Sequence, residues 1–244
     1  MNSKPAPSPA RLLDAPHRLL FFVGGTNVLL AMAWWTAWLT GVRWGAPAMP
    51  QPAQPAGWLH AFVMQYEMLP SFIFGFLLTT FPKWTGLPEF PRWRYAPVGI
   101  GLFGGQIATL LGAIGWEVGL VLGLLMTIAG WAAGLATLAP ILWREQGNTW
   151  HARSCFAGLL LGFVGLIAWS AYLLGIASPA WVLASIKLGT FGLLLPVYFT
   201  VAHRMFPFFA GNAVPGYTPW RPLWLLAVAW PLVLAHLALE LVHA

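Results

Sequence analysis

Charged residues are scarce in this sequence. Asp, Glu, Lys and Arg together make up 7% of its 244 residues, whereas a soluble globular domain carries about 25%. So few charges cannot solvate a water-exposed surface, which excludes an ordinary soluble protein. Cysteine occurs once, at Cys155. A single cysteine excludes an intramolecular disulfide and a metal site built from paired cysteines.

Apolar residues take the place of the missing charge. They make up 59% of the chain, and the mean hydropathy is +0.73. In lipid every backbone N–H and C=O group needs a partner within the protein, so only helices and closed barrels span a membrane. Barrel strands would alternate apolar and polar residues, whereas the apolar runs here are continuous. The sequence therefore predicts an all-α integral membrane protein.

Seven apolar runs are each long enough to cross a hydrocarbon core of about 30 Å. We expect residues 1–17 to form a flexible N-terminal tail and residues 18–244 to form a single transmembrane helical domain. A tight hairpin is predicted where only Gly115 and Trp116 separate two of the runs. The expected spans are 18–41, 58–82, 97–115, 117–142, 153–177, 179–206 and 220–241.

The basic residues predict the orientation. With a cytoplasmic N-terminus, ten of the twelve Lys and Arg residues fall on the cytoplasmic side, which leaves Arg43 outside and Lys187 within a span. Because the chain is expected to cross the membrane seven times, its main expected partner is the lipid bilayer. The net charge of +6 does not indicate nucleic-acid binding, because the cations lie at helix ends and form no basic face.

Two ionisable residues lie deep within the expected spans, where a charge is costly. Glu67 in the second span and Lys187 in the sixth each lie about 12–13 Å from the outer end of the span, at about 1.5 Å per residue. Because the depths match and the charges are opposite, we hypothesise an intramembrane ion pair between them. Such a pair either fixes helix register or serves a function. Alternatively, Glu67 is protonated, because burial in lipid disfavours the charged form of a carboxyl group.

His60 opens the second span and is a candidate ligand. His60, Met64 and Glu67 are spaced i, i+4 and i+7, which in an α-helix places them on one face. An imidazole and a thioether together suit a haem iron or a copper ion. The alternative is that His60 is a solvated or hydrogen-bonded residue near the interface.

The other histidines divide by expected depth. His236 lies at a depth comparable to that of His60, so these two residues are candidates for an outer site. His203 with His17 or His151 would form an inner site. The candidate metal ligands are therefore His60 and His203, and the wider set of candidate cofactor-binding residues is His60, Met64, His203, Arg204 and His236.

Two connecting stretches are rich in proline and aromatic residues, over 75–95 and 203–217. Arg92, Arg94 and Arg204 in these stretches are suited to binding carboxylates such as haem propionates. The alternative is that they anchor the helices by the positive-inside rule, with aromatic residues at the headgroup level.

Four features resemble the NnrS family of bacterial membrane proteins. They are PHRLLFFVGG over 16–25, His60 at the start of the second span, GFLLTTFPKWTG over 75–86 and HRMFPFFAGNA over 203–213. The resemblance implies a multi-pass protein of the bacterial inner (cytoplasmic) membrane that binds haem and copper and is linked to nitric oxide metabolism and nitrosative stress in denitrifying bacteria. It implies a ligand role for His60 and a functional role for Arg204.

The sequence departs from the family pattern in three ways. Phe62 and Val63 stand where the family has a second histidine and a glutamate, although Met64 is kept. His203 stands where a glycine is common. Family members typically have more spans than the seven expected here, which indicates a short form or one half of the usual architecture.

The sequence leaves three kinds of function open. The first is a haem- or metal-binding protein of nitric oxide or respiratory metabolism. The second is a non-catalytic membrane subunit or assembly partner, with glycine-rich helix faces that dock another subunit or a second copy. The third is a small-molecule transporter that uses Glu67 and Lys187. A hydrolase is not indicated, because paired acids, a nucleophile beside a base and a phosphate-binding loop are all missing.

Overall fold

A computed structural model describes residues 9–47, 49–144 and 149–243. Within these residues the chain forms helices and no strands, and seven of the helices are long and apolar enough to span a membrane. The predicted fold class and number of spans are therefore confirmed, while the orientation of the N-terminus stays a prediction. The spans are α1 (Pro16–Trp44), α2 (Ala56–Thr85), α3 (Arg92–Ala113), α4 (Val118–Arg144), α5 (Trp150–Leu173), α6 (Ala180–Ala213) and α7 (Trp224–Val242).

Glycines in the left-handed backbone region end or connect several spans. Gly45 follows α1 with φ +76°, and Gly86 follows α2 with φ +70°. These angles suit glycine because it has no Cβ. Gly115 has φ +114° in the short turn between α3 and α4, so the tight hairpin expected there is confirmed.

The expected N-terminal tail contains helix. Residues 1–8 lie outside the described residues, but Pro9–Asp14 forms a 3-10 helix and α1 begins at Pro16. The hydroxyl of Tyr95 on α3 donates a hydrogen bond to the Leu13 carbonyl at 2.6 Å. This contact attaches the 3-10 helix to the start of α3.

Two of the spans are interrupted by π-helical turns, which hydropathy does not predict. The first π turn is Val63–Met68 within α2, and the second is Leu188–Leu194 within α6. Each is followed at once by a Leu-Pro pair, ending in Pro70 and Pro196. Proline lacks the N–H that an α-helix needs at that position. Turns of this kind recur at functional sites.

The chain divides into two compact units, Met1–Ile141 and Leu142–Ala244. The first unit contains α1 to α3 and nearly all of α4, and the second contains α5 to α7. Each unit therefore has one span that contains a π turn. This span is α2 in the first unit and α6 in the second, and in both units it is the second complete span along the chain.

The helix before each interrupted span packs on it through a glycine. In the first unit, a Cβ at Gly24 of α1 would meet the ring of Phe72 at 2.8 Å. In the second, a Cβ at Gly158 of α5 would meet Val197 at 2.9 Å. Phe72 and Val197 each lie within two residues after the proline that follows the π turn. The two units thus share a local packing arrangement.

Candidate functional site

The carboxyl group of Glu67 lies in the core of the first unit and is fully buried. Its Oε1 accepts hydrogen bonds from the hydroxyls of Thr109 on α3 at 2.7 Å and Thr127 on α4 at 3.0 Å. Its Oε2 is buried and makes no hydrogen bond to any residue that the structure describes. Buried polar atoms normally have partners, and ionisable groups at membrane depth are usually functional. Glu67 is therefore a candidate functional residue.

Two glycines make room for the hydroxyls that reach Glu67. A Cβ at Gly105 of α3 would collide with Thr127 Oγ1, and a Cβ at Gly123 of α4 would collide with Thr109 Oγ1. The small residues allow α3 and α4 to cross closely. Because of that close crossing, threonines from two different helices donate to one carboxyl oxygen.

The first π turn is stabilised by an indole. Pro70 has no N–H, so the carbonyl of Tyr66, four residues earlier, lacks the usual helical donor. Trp131 of α4 supplies a substitute, because its Nε1 donates to the Tyr66 carbonyl at 2.8 Å. The wide turn holds one residue more than an α-helical turn, so the residues after it are rotated by about 100°.

His60 lies in the α-helical start of α2. Its ring stacks on Trp35 of α1 with centroids 4.2 Å apart and planes at 10°, and Trp35 stacks on Trp38 at 5.2 Å. His60 Nδ1 is buried and makes no hydrogen bond within the described part of the chain. Both His60 and Met64 are half-buried. Met64 lies inside the π turn, so the α-helical spacing used to place it on one face with His60 and Glu67 does not apply.

Lys187 lies immediately before the second π turn. Its Nζ forms an ion pair with Glu240 Oε2 of α7 at 2.9 Å and donates to the Glu240 carbonyl at 2.6 Å. His236 Nε2 lies 3.9 Å from Glu240 Oε1, and the His236 ring packs edge-on against Phe191. These contacts join α6 to α7 within the second unit.

Glu67 and Lys187, which were hypothesised to form an ion pair, each have partners within their own unit. Glu67 is bound by two threonines of the first unit, and Lys187 by Glu240 of the second. Counting residues gives the depth of a side chain in the membrane, but not its direction around the helix axis. That direction depends on packing and, in both spans, on the neighbouring π turn.

His203 contacts His151 in the second unit, which is one of the two pairings expected for an inner site. His151 Nε2 and His203 Nδ1 are 2.9 Å apart, and His203 Nε2 is 3.2 Å from the Pro222 carbonyl. A carbonyl only accepts, so the contact with Pro222 places a proton on His203 Nε2. In a neutral His203 ring, Nδ1 then accepts from His151 Nε2. His17, the other expected partner, contacts the Thr79 hydroxyl of α2 in the first unit.

A cavity of about 500 Å³ lies between α5 and α7 in the second unit. Its walls include Ser154, whose hydroxyl bonds Thr200 at 2.6 Å and accepts from Trp230 Nε1 at 2.7 Å. No histidine or cysteine is among the described residues that line it. Arg204, half-buried on α6, does not line it either.

The sequence did not point to the residues that complete these sites, namely Thr109, Thr127, Trp35 and Glu240. A weak signal was present for three of them. The two threonines stand within glycine-rich helix faces, and Glu240 is one of only six acidic residues in the chain. The stacking of Trp35 on His60 had no signal beyond the abundance of tryptophan.

The fold and these sites define a multi-pass helical membrane protein with a buried carboxyl group at Glu67 and a buried histidine at His151. Within that class, the chain belongs to the NnrS family, because the family model described as NnrS protein matches residues 11–244. The resemblance found in the sequence motifs is thereby confirmed. No curated protein and no solved structure matches the chain.

Proposed function

We propose that this NnrS-family chain binds haem through His60 and, with haem bound, takes part in nitric oxide metabolism or the response to nitrosative stress in bacteria. The main support for the proposal is the environment of the His60 imidazole. The ring is half-buried in a membrane span, and its Nδ1 makes no hydrogen bond within the described residues. A buried ring nitrogen normally has a partner, so this imidazole is suited to an external ligand. The resemblance of the sequence motifs to the family separately implies a ligand role for His60.

The donor set favours haem over copper. Tightly held copper usually has three or more nitrogen or sulfur ligands, and the described residues include no group of three or more His, Cys, Asp or Glu placed to hold a metal. Haem iron can be held by a single protein residue, so the His60 imidazole would be sufficient to hold it. His203 does not fit that role, because both of its ring nitrogens already bond other groups, His151 and the Pro222 carbonyl.

The stacking of His60 on Trp35 is compatible with ligation. An imidazole binds iron through a nitrogen at the edge of the ring, whereas Trp35 covers a face of the ring at 4.2 Å. The indole therefore fixes the orientation of the imidazole without occupying its ligand direction. When bound, the haem would supply an iron with an open position for a diatomic ligand.

Optical spectroscopy tests the proposal. After expression with haem supplied, the purified protein is expected to show a Soret band that shifts when nitric oxide is added. His60→Ala is expected to lose this band, and His203→Ala, the matched histidine control, is expected to keep it. A wild-type protein without a Soret band overturns the proposal, as does a band that is unchanged in His60→Ala.

A further inference from the structure

The two oxygens of the Glu67 carboxyl group are used unequally. Oε1 accepts from both Thr109 and Thr127, at 2.7 Å and 3.0 Å. Oε2 is buried and has no partner among the described residues. A full negative charge would be shared by both oxygens, and one of them would then be unsolvated in a low-dielectric interior. A proton on Oε2 removes that charge and leaves Oε1 as the carbonyl oxygen that both hydroxyls bind.

No cation neutralises Glu67 among the described residues. The ion pairs found there involve other acids, namely Asp14, Glu89 and Glu240. The titratable groups on the helices around Glu67 lie near helix ends, apart from the adjacent phenol of Tyr66. They are His17, Arg18 and Arg43 on α1, His60 and Lys83 on α2, Arg92, Arg94 and Tyr95 on α3, and Glu117 and Arg144 at the two ends of α4.

The donors to Oε1 are held by the close crossing of α3 and α4. Gly105 and Gly123 leave the space that Thr127 and Thr109 hydroxyls occupy, since a Cβ at either glycine would collide with the opposing hydroxyl. Glu67 itself lies in the first π turn, and its own carbonyl accepts from the Ser71 hydroxyl at 2.9 Å. The site is therefore built by three spans and is more than a single acid placed in an apolar core.

Further unpaired acceptors lie in the same unit. Gln106 Nε2 donates to the Asn27 carbonyl at 2.6 Å, and Asn27 Nδ2 donates to the Leu102 carbonyl at 3.4 Å. The side-chain oxygens Asn27 Oδ1 and Gln106 Oε1 are buried and unbonded within the described residues. Gln106 is three residues before Thr109 and shares its face of α3. These amide oxygens are hydrogen-bond acceptors in the same unit as Glu67.

We propose that Glu67 is a proton-exchange site in the interior of the first unit. Uptake of a proton forms an O–H bond at Oε2, and release breaks that bond and leaves a carboxylate. No electron transfer and no other reactant is involved. The proposal is independent of haem binding and holds for the protein without haem.

Infrared spectroscopy in hydrogen- and deuterium-containing buffers tests the proposal. The chain has only six acidic residues, so its carboxyl region is simple. At neutral pH the wild-type protein is expected to show the carbonyl band of a protonated carboxylic acid, which shifts to lower frequency in D₂O and disappears reversibly at alkaline pH. Glu67→Gln is expected to lose the band. Glu240→Gln, which changes an acid that is paired with Lys187, is expected to keep it.

Substitutions of the two threonines test the site further through the frequency of the Glu67 carbonyl band. A purely structural role of the threonines would leave this frequency unchanged. Thr109→Val and Thr127→Val each remove one hydrogen bond to the Glu67 carbonyl oxygen, so each is expected to raise the band frequency. Thr137→Val is the matched control, because the Thr137 hydroxyl donates to the Ala133 carbonyl at 2.8 Å. The proposal is overturned by the absence of the band at neutral pH, by its persistence in Glu67→Gln, or by a carboxylate signal that responds to sodium in place of pH.

Discussion

His151 Nε2 and His203 Nδ1 lie 2.9 Å apart, and the second ring nitrogen of His203 lies 3.2 Å from the Pro222 carbonyl. The rings are nearly stacked, with centroids 5.2 Å apart. The imidazoles therefore form a continuous hydrogen-bonded chain from α5 through α6 to the segment that leads into α7. Two imidazoles bound in this way are partners of each other.

Removing either imidazole is expected to destabilise the second unit by about 1 kcal/mol, the usual net contribution of one hydrogen bond. His151→Ala and His203→Ala should lower the free energy of unfolding in detergent. The double variant should lose less than the sum of the two, because the shared bond is lost only once. His243→Ala, at an exposed position, is the control. Additive losses from the two variants would contradict the pairing.

The crossing of α3 and α4 predicts a strong effect of a single methyl group. Gly105→Ala and Gly123→Ala each place a Cβ against a threonine hydroxyl, and overpacking of this kind costs about 1–3 kcal/mol. Thermal unfolding of the purified protein measures the loss. Gly25→Ala adds the same methyl group to α1 where no atom lies within 4 Å, so its stability is expected to be unchanged or slightly higher. Equal effects at all three glycines would show that the crossing is looser than described.

The hydrogen bond from the Trp131 indole is expected to stabilise the first π turn. Trp131→Phe keeps an aromatic ring but removes the N–H that donates to the Tyr66 carbonyl at 2.8 Å. Loss of this one hydrogen bond is expected to cost about 0.5–1.5 kcal/mol. Amide hydrogen exchange should increase locally in the π turn of α2. Trp44→Phe, at a site that is 72% exposed, should change neither quantity, and an equal effect of both variants would refute the role of Trp131.

The contacts between Lys187 and Glu240 are expected to hold α7 against α6. Lys187→Met removes both the ion pair to Glu240 Oε2 and the bond to the Glu240 carbonyl. We expect a lower unfolding temperature and faster amide exchange in α7. Lys83→Met is the matched control, because the Lys83–Glu89 pair is 3.7 Å apart and exposed on both sides. Exchange in α7 that is the same in both variants would argue against the attachment.

Hydropathy was sufficient to predict the spans, because apolar length decides whether a helix crosses a membrane. It also located the hairpin at Gly115, where a turn was the only way to divide two long runs. It could not predict the partners of Glu67 and Lys187. Glu67 lies in the first π turn and Lys187 lies immediately before the second. A change from i+4 to i+5 hydrogen bonds leaves no mark in the apolar pattern.

The sequence was also insufficient to decide which histidines pair with each other. The pairing of His203 with His151 was one of two alternatives, because depth alone could not separate His151 from His17. The structure places His17 against Thr79 of its own unit. Which histidine meets His203 is decided by the packing of α5 on α6, and that packing depends on small residues such as Gly158.

The π turn of α2 makes this span unusually sensitive to changes in length. Val63–Met68 contains one residue more than an α-helical segment of the same length along the helix axis. Insertion of a single codon would produce such an extra residue. Deleting one residue there would restore a continuous α-helix and rotate one half of the span by about 100° relative to the other. His60 and the segment from Pro70 to Gly86 could then not both keep their present neighbours. Relatives that lack this residue are therefore expected to differ at both ends of the span, even where every other side chain is the same.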